Sequence, residues 1–178
     1  MTLQIQALEA AAASDAALVT ALTDLINEVY AVAEQGLWTE GATRTTREEM
    51  TALVGAEQIV AARLERRLVG CIRVQRLDGE TSEFGMLAAD QAHRGLGVGR
   101  DLVRYAERWG RGQGCARMQL ELLTPRAWSH PSKEVLAGWY GRIGYKVVRT
   151  RTIEETYPAL APLLATPCDF VICRKDLT

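Results

Sequence analysis

The chain has 178 residues, a length at which one domain spanning residues 1–178 is expected. Apolar residues make up 48% and charged residues 24%, which excludes a disordered, collagen-like or disulfide-scaffold protein and predicts a packed core. The 21 basic and 22 acidic side chains leave a net charge of -1, so the sequence offers no general field that would hold a nucleic acid or a membrane surface.

Uninterrupted apolar stretches are short in this sequence. The run from Leu8 to Val19 is broken by Glu9, Ser14 and Asp15, and no run reaches the roughly 18 to 20 residues that span a bilayer. No basic segment precedes an apolar run at the N-terminus, so no secretion signal is predicted and a cytoplasmic location is expected. The four scattered cysteines and two histidines show none of the common ligand spacings, so no metal site is expected.

The first part of the chain predicts a strand followed by two helices. Residues 3–7 alternate apolar and polar side chains, which is typical of a strand with one buried face. After a cap at residues 14–15, apolar side chains recur at helical spacing until Gly36 and predict a long amphipathic helix. Thr46 and Glu49 have the spacing of a capping box and predict the start of a shorter second helix.

The rest of the chain predicts strands interrupted by two helices. The strands are expected at residues 59–64, 68–74, 83–89, 118–122, 145–155 and 170–175, and the helices after residue 99 and over residues 131–143. The order β-α-α-β-β-β-α-β-α-β-β predicts a mixed α/β sheet. The strand-helix-strand unit from residue 83 to residue 122 should set its two strands parallel, with a ligand site at its first turn.

That turn is rich in glycine. Gly95, Gly97 and Gly99 allow main-chain N–H groups to converge on an anion at a helix N-terminus, and phosphate is the natural ligand. Glycine turns before helices are common, so a purely structural role stays open at this point. Arg100 and Asp101 stand where a P-loop requires Lys and Ser or Thr, and no reading frame completes the Gly-x-Gly-x-x-Gly dinucleotide motif, so ATP and NAD are disfavoured.

Three segments resemble the GNAT superfamily of acyl-CoA-dependent N-acyltransferases. Residues 94–99, Arg-Gly-Leu-Gly-Val-Gly, are similar to its pyrophosphate loop, residues 87–90 to a strand end, and residues 139–145 to its Tyr-x-x-x-Gly-aromatic helix end. The predicted element order agrees from residue 3 to residue 175. The resemblance implies a single GNAT-like α/β domain, N-acetyltransferase activity and acetyl-CoA as cosubstrate. The CoA contacts that it implies come from Leu87, Ala88, Ala89, Arg94, Gly95, Leu96, Gly97, Val98, Gly99 and Arg100.

The resemblance also implies two catalytic residues. Glu83 lies four residues before Leu87, where the family's general base stands, usually acting through water; the alternative is a solvent-facing strand carboxylate. Tyr140 matches the tyrosine that protonates the departing thiolate; the alternative is a core aromatic. The amide N–H groups beside Leu87 and Ala89 would polarise the acetyl carbonyl.

The chain departs from the family pattern before the last predicted helix. Many relatives carry an asparagine that contacts pantetheine seven residues before the tyrosine, and Lys133 stands there, next to an unusual insert at residues 124–131. The resemblance places the acceptor amine beside that insert and the first interhelical loop, where aromatic and carboxylate side chains suit a cation. The predicted acceptor residues are Trp38, Glu40, Trp128 and His130, with His130 alternatively a base or purely structural.

The expected reaction is direct attack by a primary amine, of a small molecule or a peptide, on acetyl-CoA in a ternary complex. The alternative is a non-catalytic module that binds acyl-CoA as a sensor or regulatory subunit. A protein or tRNA modifier would require a charged docking surface, which the net charge does not indicate. Strand edges near the C-terminus make a homodimer an open expectation, and the acceptor and the acyl chain length are not specified.

Overall fold

The computed structural model describes residues 2–178 as one seven-stranded mixed sheet with helices on both faces. The strands are β1 (Leu3–Ala7), β2 (Ile59–Leu64), β3 (Arg67–Arg76), β4 (Thr81–Ala89), β5 (Arg117–Pro125), β6 (Lys146–Thr152) and β7 (Cys168–Asp176). The helices are α1 (Ala16–Ala33), α2 (Arg47–Gly55), α3 (Val98–Gly112), α4 (Pro131–Arg142) and the single turn α5 (Ile153–Thr156). Short 3₁₀ helices cover Ala10–Ser14, Gln91–His93 and Ala161–Leu163.

The strand order is β1-β2-β3-β4-β5-β7-β6, and only β4 and β5 run parallel. Their pairing is short, because only Thr81–Glu83 is in register with Arg117–Gln119. Beyond these residues the two strands continue without pairing to each other. We call this opening, between β4 after Glu83 and β5 after Gln119, the fork.

Helices bury both faces of the central strands. On one face Leu102 and Ala106 of α3 pack with Phe84 and Leu120, since α3 presents an apolar stripe at three- and four-residue spacing. On the other face Ile26 of α1 packs with a second buried cluster that includes side chains of α2 and β4. The fork therefore opens between two helical layers, where a ligand can be enclosed.

Helix α1 is the most apolar of the four longer helices. Its 18 residues reach a mean hydropathy of 1.4, so by length and composition alone it could cross a membrane. In this structure Leu22 and Ile26 are fully buried in the cluster between α1 and the sheet. Only 22% of the helix is buried, so packing accounts for its inner apolar stripe and leaves apolar side chains such as Val32 exposed.

The predicted mixed α/β fold is confirmed, and two local predictions are corrected. The strand predicted at residues 145–155 ends at Thr152, because Thr152 and Glu155 form a capping box that starts α5 instead. At the start of α2, Thr46 accepts a hydrogen bond from the Glu49 amide as predicted. The Glu49 carboxylate, however, accepts from the hydroxyl of Thr45 at 2.7 Å, so the box at Thr46 is only half formed.

Candidate active site

A cleft of about 840 Å³ opens at the fork. Residues 83–87 of β4 and 120–123 of β5 form its floor, and residues of α1, α4 and the segment before β7 form its walls. Because β4 and β5 do not pair here, the main-chain N–H and C=O groups on their facing edges do not hydrogen-bond to each other. Such groups can take up an extended ligand by the hydrogen bonding of an added strand.

A β-bulge shapes the β4 side of the cleft. The register of β3 with β4 shifts between Cys71 and Arg73, which pair with Ala88 and Gly85. Met86 lies in the bulge with a φ of +48°, a left-handed conformation that is uncommon outside glycine. Without the bulge, residues 84, 86 and 88 would share one face, whereas Phe84 packs on the α3 side and Met86 on the α1 side. The bulge thus turns the β4 backbone at the cleft.

Glu83 lies at the vertex of the fork and is half-buried. Its Oε1 accepts a hydrogen bond from Gln75 Nε2 at 3.1 Å, and its Oε2 accepts from Gln119 Nε2 at 2.7 Å. Burial raises the pKa of Glu83 above its ordinary value, and the amide of Gln119 opposes that effect only in part. The carboxyl group faces the cleft rather than bulk solvent, as a general base would.

Tyr140 of α4 lines the same cleft. Its ring is buried against Phe84 and Tyr145, with centroids 6.0 and 5.9 Å away, and against Trp139 at 5.0 Å. Burial raises the pKa of its phenol, so the group stays protonated at neutral pH. Within residues 2–178 the hydroxyl has no hydrogen-bond partner, which leaves its proton available to a ligand. Tyr140 is therefore both a core aromatic and a cleft residue.

The glycine turn follows the carboxyl end of β4, toward which the fork opens. Gly97 caps α3 with a φ of +76° and no side-chain cap, so the first-turn N–H groups of α3 have no helical partner. Gly95 is also left-handed, with a φ of +89°. Leu96 is 51% exposed, and its N–H donates to the His93 carbonyl with an N···O distance of 3.4 Å. At Gly99 a Cβ would meet no atom within 4 Å, so the surface there is open to a ligand.

Arg100 folds back over this turn. Its Nε donates to Asp101 at 2.9 Å, and its guanidinium lies 2.6 Å from where a Cβ on Gly97 would stand. The turn thus presents main-chain donors and one guanidinium, a set suited to phosphate. Of the other predicted CoA contacts, Arg94 is exposed, whereas Ala88 is buried toward α1 and pairs with Cys71 of β3.

Lys133 and Glu34 form a buried ion pair in the cleft wall. Lys133 Nζ lies 2.6 Å from Glu34 Oε2, and the two side chains are 7% and 5% exposed. Glu34 caps the end of α1 and also accepts from the indole N–H of Trp38 at 3.1 Å. The pair joins the end of α1 to the first turn of α4, at the position where many GNAT members carry asparagine.

Replacing Lys133 with methionine should lower the free energy of unfolding by about 3 to 5 kcal/mol, because it leaves the buried Glu34 carboxylate without its cation. Urea denaturation measures the change. The double variant Lys133→Met, Glu34→Gln should recover most of the loss, while Arg104→Ala, which removes an exposed pair at 3.7 Å, should have little effect. Equal stability of the single and double variants would contradict this account.

Of the four predicted acceptor residues, the structure brings Trp128 and His130 together, with ring centroids 5.4 Å apart. Trp38 lines the cleft, whereas Glu40 is exposed and outside its lining. Trp128 is 41% exposed, and its indole N–H donates to Thr166 at 3.1 Å. His130 is buried at the start of α4, where its Nε2 donates to the Gln35 carbonyl at 2.9 Å. It lines a cavity of about 250 Å³ that shares Leu122, Lys133 and Tyr140 with the cleft. These contacts favour the structural alternative for His130.

Several cleft residues were not found from the sequence. The cleft lining also includes Tyr30, Arg44, Glu121, Tyr157 and Phe170. The Arg44 guanidinium covers the Tyr30 ring at 5.2 Å, and the Tyr157 hydroxyl donates to Glu121 at 2.9 Å. Only Glu121 had a sequence signal, since it occupies a polar position in the alternating pattern of β5.

The forked mixed sheet, the glycine turn before α3, and Glu83 and Tyr140 in the lining of one cleft are the features of an α/β acyltransferase. The chain belongs to the Acetyltransferase (GNAT) family, whose family model matches residues 20–136. No curated protein sequence matches the chain significantly.

Solved structures share the fold over the whole chain. The yncA structure from Salmonella typhimurium, determined with its cofactor acetyl-CoA, is 15% identical with a TM-score of 0.68, covering 100% of this chain and 95% of its own. The PaiA N-acetyltransferase from Thermoplasma acidophilum, in complex with coenzyme A, is 18% identical with a TM-score of 0.69, covering 99% of both chains. An aminoglycoside 6'-acetyltransferase type Ii is 21% identical with a TM-score of 0.66, covering 98% of this chain and 97% of its own.

Proposed function

We propose that the protein is an N-acetyltransferase that transfers the acetyl group of acetyl-CoA to a primary amine, of a small molecule or a peptide, by direct attack in a ternary complex. The observation that carries the proposal is the placement of Glu83 and Tyr140 on one cleft at the fork. Family membership and the CoA-bound structures of yncA and PaiA support the choice of cosubstrate.

The residues present fit acetyl-CoA. The main-chain donors at Gly97 and Gly99, with Arg100 folded over them, suit a pyrophosphate. The unpaired edges of β4 and β5 suit the two amides of a pantetheine arm, and the fork leads to the cleft that holds Tyr140. Acetyl-CoA supplies an acetyl group activated as a thioester.

Each step of aminolysis then has a residue of this chain. An amine is protonated at neutral pH, so Glu83 accepts its proton, directly or through a water. The raised pKa of Glu83 brings it closer to the working pH and makes it a stronger base. Main-chain N–H groups at the Met86 bulge stabilise negative charge on the carbonyl oxygen. Attack on the carbonyl carbon leaves the nitrogen cationic. As the C–S bond breaks, Tyr140 donates its proton to the leaving sulfur, and the extra proton on the nitrogen replaces it on the Tyr140 oxygen, directly or through water.

Two carboxylates of the cleft, Glu83 and Glu121, support a cationic acceptor, and Arg44 is an opposing charge in the same lining. Glu121 and Glu83 are close enough that the Glu121 charge raises the pKa of Glu83 further. The rings of Tyr157 and Phe170 pack edge-on at 5.2 Å beside them. Carboxylates with aromatic walls attract an ammonium group.

A cytoplasmic location and a homodimer stay predictions from the sequence.

The test is release of free thiol from acetyl-CoA with a panel of polyamines, amino acids, aminoglycosides and peptides. We expect turnover with at least one amine class, and none with Gly97→Val, because valine cannot adopt the left-handed φ of Gly97 without strain and would crowd Arg100. Calorimetry with CoA separates the outcomes. Tight CoA binding without turnover on any amine would favour the sensor alternative, and no CoA binding would overturn both.

A further inference from the structure

Four polar side chains form one row across the sheet. Gln75 of β3 pairs with Glu83 of β4, Glu83 with Gln119 of β5, and Gln119 with Arg174 of β7. Facing residues of neighbouring strands project to the same side of the sheet, so the four side chains lie next to one another on one face. Glu83 and Gln119 are also the last paired residues before the fork, so the row crosses the sheet at its vertex.

The row is continuously hydrogen-bonded. From the β3 end, Arg73 donates to Gln75 Oε1 at 3.1 Å, and Gln75 Nε2 donates to Glu83 at 3.1 Å. From the β7 end, Arg174 Nε donates to Gln119 Oε1 at 2.8 Å, and Gln119 Nε2 donates to Glu83 at 2.7 Å. Both halves of the row therefore run from an arginine, through a glutamine, to the same carboxylate.

The two arginines fix which way each amide points. A guanidinium has donors only and an ionised carboxylate has acceptors only, so a glutamine between them satisfies both only with its oxygen toward the arginine. Turning over the amide of Gln119 would set its NH₂ group against the Arg174 donor and its oxygen against Glu83. The same holds for Gln75 beside Arg73.

We propose that Arg73 and Arg174 act through Gln75 and Gln119 as positioning residues that keep the Glu83 carboxylate ionised and fixed in orientation at the fork. The proposal rests on the proposed function, in which Glu83 accepts the proton of the acceptor amine. Each carboxylate oxygen has room for a second hydrogen bond, so the row leaves one acceptor site per oxygen for the amine or a water.

The other charges around Glu83 do not replace the row. Glu121 of β5 opposes ionisation of Glu83, and Arg73 favours it from β3. Tyr157, from the segment after α5, and Tyr30 of α1 and Arg44, from the other wall, also line the cleft. Within residues 2–178, only the amides of Gln75 and Gln119 donate hydrogen bonds to the Glu83 carboxylate. Removing one amide therefore removes direct support of the anion and leaves the surrounding charges in place.

The test titrates Glu83 directly, by ¹³C NMR of protein labelled at the glutamate carboxyls, with Glu83→Gln to assign the signal. In Gln119→Met, which keeps the side-chain size but has no donor, the midpoint should move to higher pH. Arg174→Met should move it in the same direction, and Arg174→Lys, which restores a donor, should return it toward wild type. Arg149→Met, which removes an exposed arginine of β6, should leave it unchanged. An unchanged midpoint in a folded Gln119→Met would overturn the proposal, and if that variant does not fold, Arg174→Met decides.

Activity provides a separate readout. In Gln119→Met, kcat/KM should fall about tenfold on the acid side of its pH profile and approach the wild-type value on the alkaline side, since the lost hydrogen bond affects only the ionised base. A uniform loss at every pH would contradict a role in ionisation. If the NMR midpoint of Glu83 moves as expected but neither the wild type nor any variant turns over an amine, the proposed function is wrong, whereas the role of the row in keeping Glu83 ionised is supported.

Discussion

Replacing Tyr140 with phenylalanine is expected to lower kcat for acetyl transfer by about a hundredfold or more, with CoA affinity within about threefold of wild type. The substitution removes only the hydroxyl that would protonate the leaving thiolate. The ring contacts with Phe84, Trp139 and Tyr145 remain. Thiol release under saturating substrates measures kcat, and calorimetry with CoA measures the affinity.

Stability provides the control for this variant. Within residues 2–178 the Tyr140 hydroxyl has no hydrogen-bond partner, so its removal should leave the free energy of unfolding nearly unchanged. Tyr145 lies in the same aromatic cluster, but its hydroxyl donates to the buried Glu107 at 3.0 Å. Tyr145→Phe should therefore destabilise the fold and keep kcat within about threefold. Equal kcat in Tyr140→Phe and wild type would remove Tyr140 as the acid.

The raised pKa of Tyr140 is compatible with this role. A phenol is a weaker acid than a thiol in water, so proton transfer to the thiolate is uphill there. In a buried cleft the thiolate is desolvated as well, which raises its own proton affinity. Burial of the Tyr140 phenol also keeps it protonated at every working pH. We therefore expect no alkaline decline of kcat below pH 9 that is due to Tyr140.

Local sequence signals predicted most of the fold and part of the site. Alternation and helical spacing depend on neighbouring residues, so the strands and the starts of α2 and α4 were found close to their observed positions. The glycine turn was found for the same reason, since Gly97 is required by its own backbone angle. Family resemblance, rather than pattern, directed attention to Glu83 and Tyr140.

Features that depend on distant contacts were not predicted. The bulge at Met86 follows Gly85, a glycine inside a strand that can mark a bulge, but the register shift itself depends on how β4 pairs with β3. Lys133 pairs with Glu34, 99 residues earlier in the chain. The row through Gln75 and Gln119 depends on strand register, which no local pattern specifies. His130 donates to the carbonyl of Gln35, 95 residues earlier in the chain, a contact that no local pattern indicates.

Replacing Glu83 with glutamine is expected to lower kcat/KM by about a hundredfold or more near neutral pH, because the amide cannot accept the proton of the attacking amine. In the wild type, kcat/KM should rise with pH as Glu83 ionises. Burial raises the pKa of Glu83, so this rise should lie above the pH at which an ordinary glutamate titrates. The pH profile of Glu83→Gln should lack this rise in kcat/KM. Glu80→Gln, at the exposed turn before β4, should keep the wild-type kcat/KM and the same rise with pH.

The size of the deficit at different pH values separates proton transfer from simple binding of the amine. As the pH approaches the pKa of the acceptor, more of the amine is already neutral and needs no base, so the deficit of Glu83→Gln should shrink. If Glu83 only attracted the ammonium group, the loss would appear in KM and would be largest where the amine is charged, with kcat preserved. A constant deficit in kcat at every pH would contradict a proton-accepting role. The pH profiles of the wild type and of Glu83→Gln, measured on the same amine, therefore show whether Glu83 accepts the proton of the amine or only binds it.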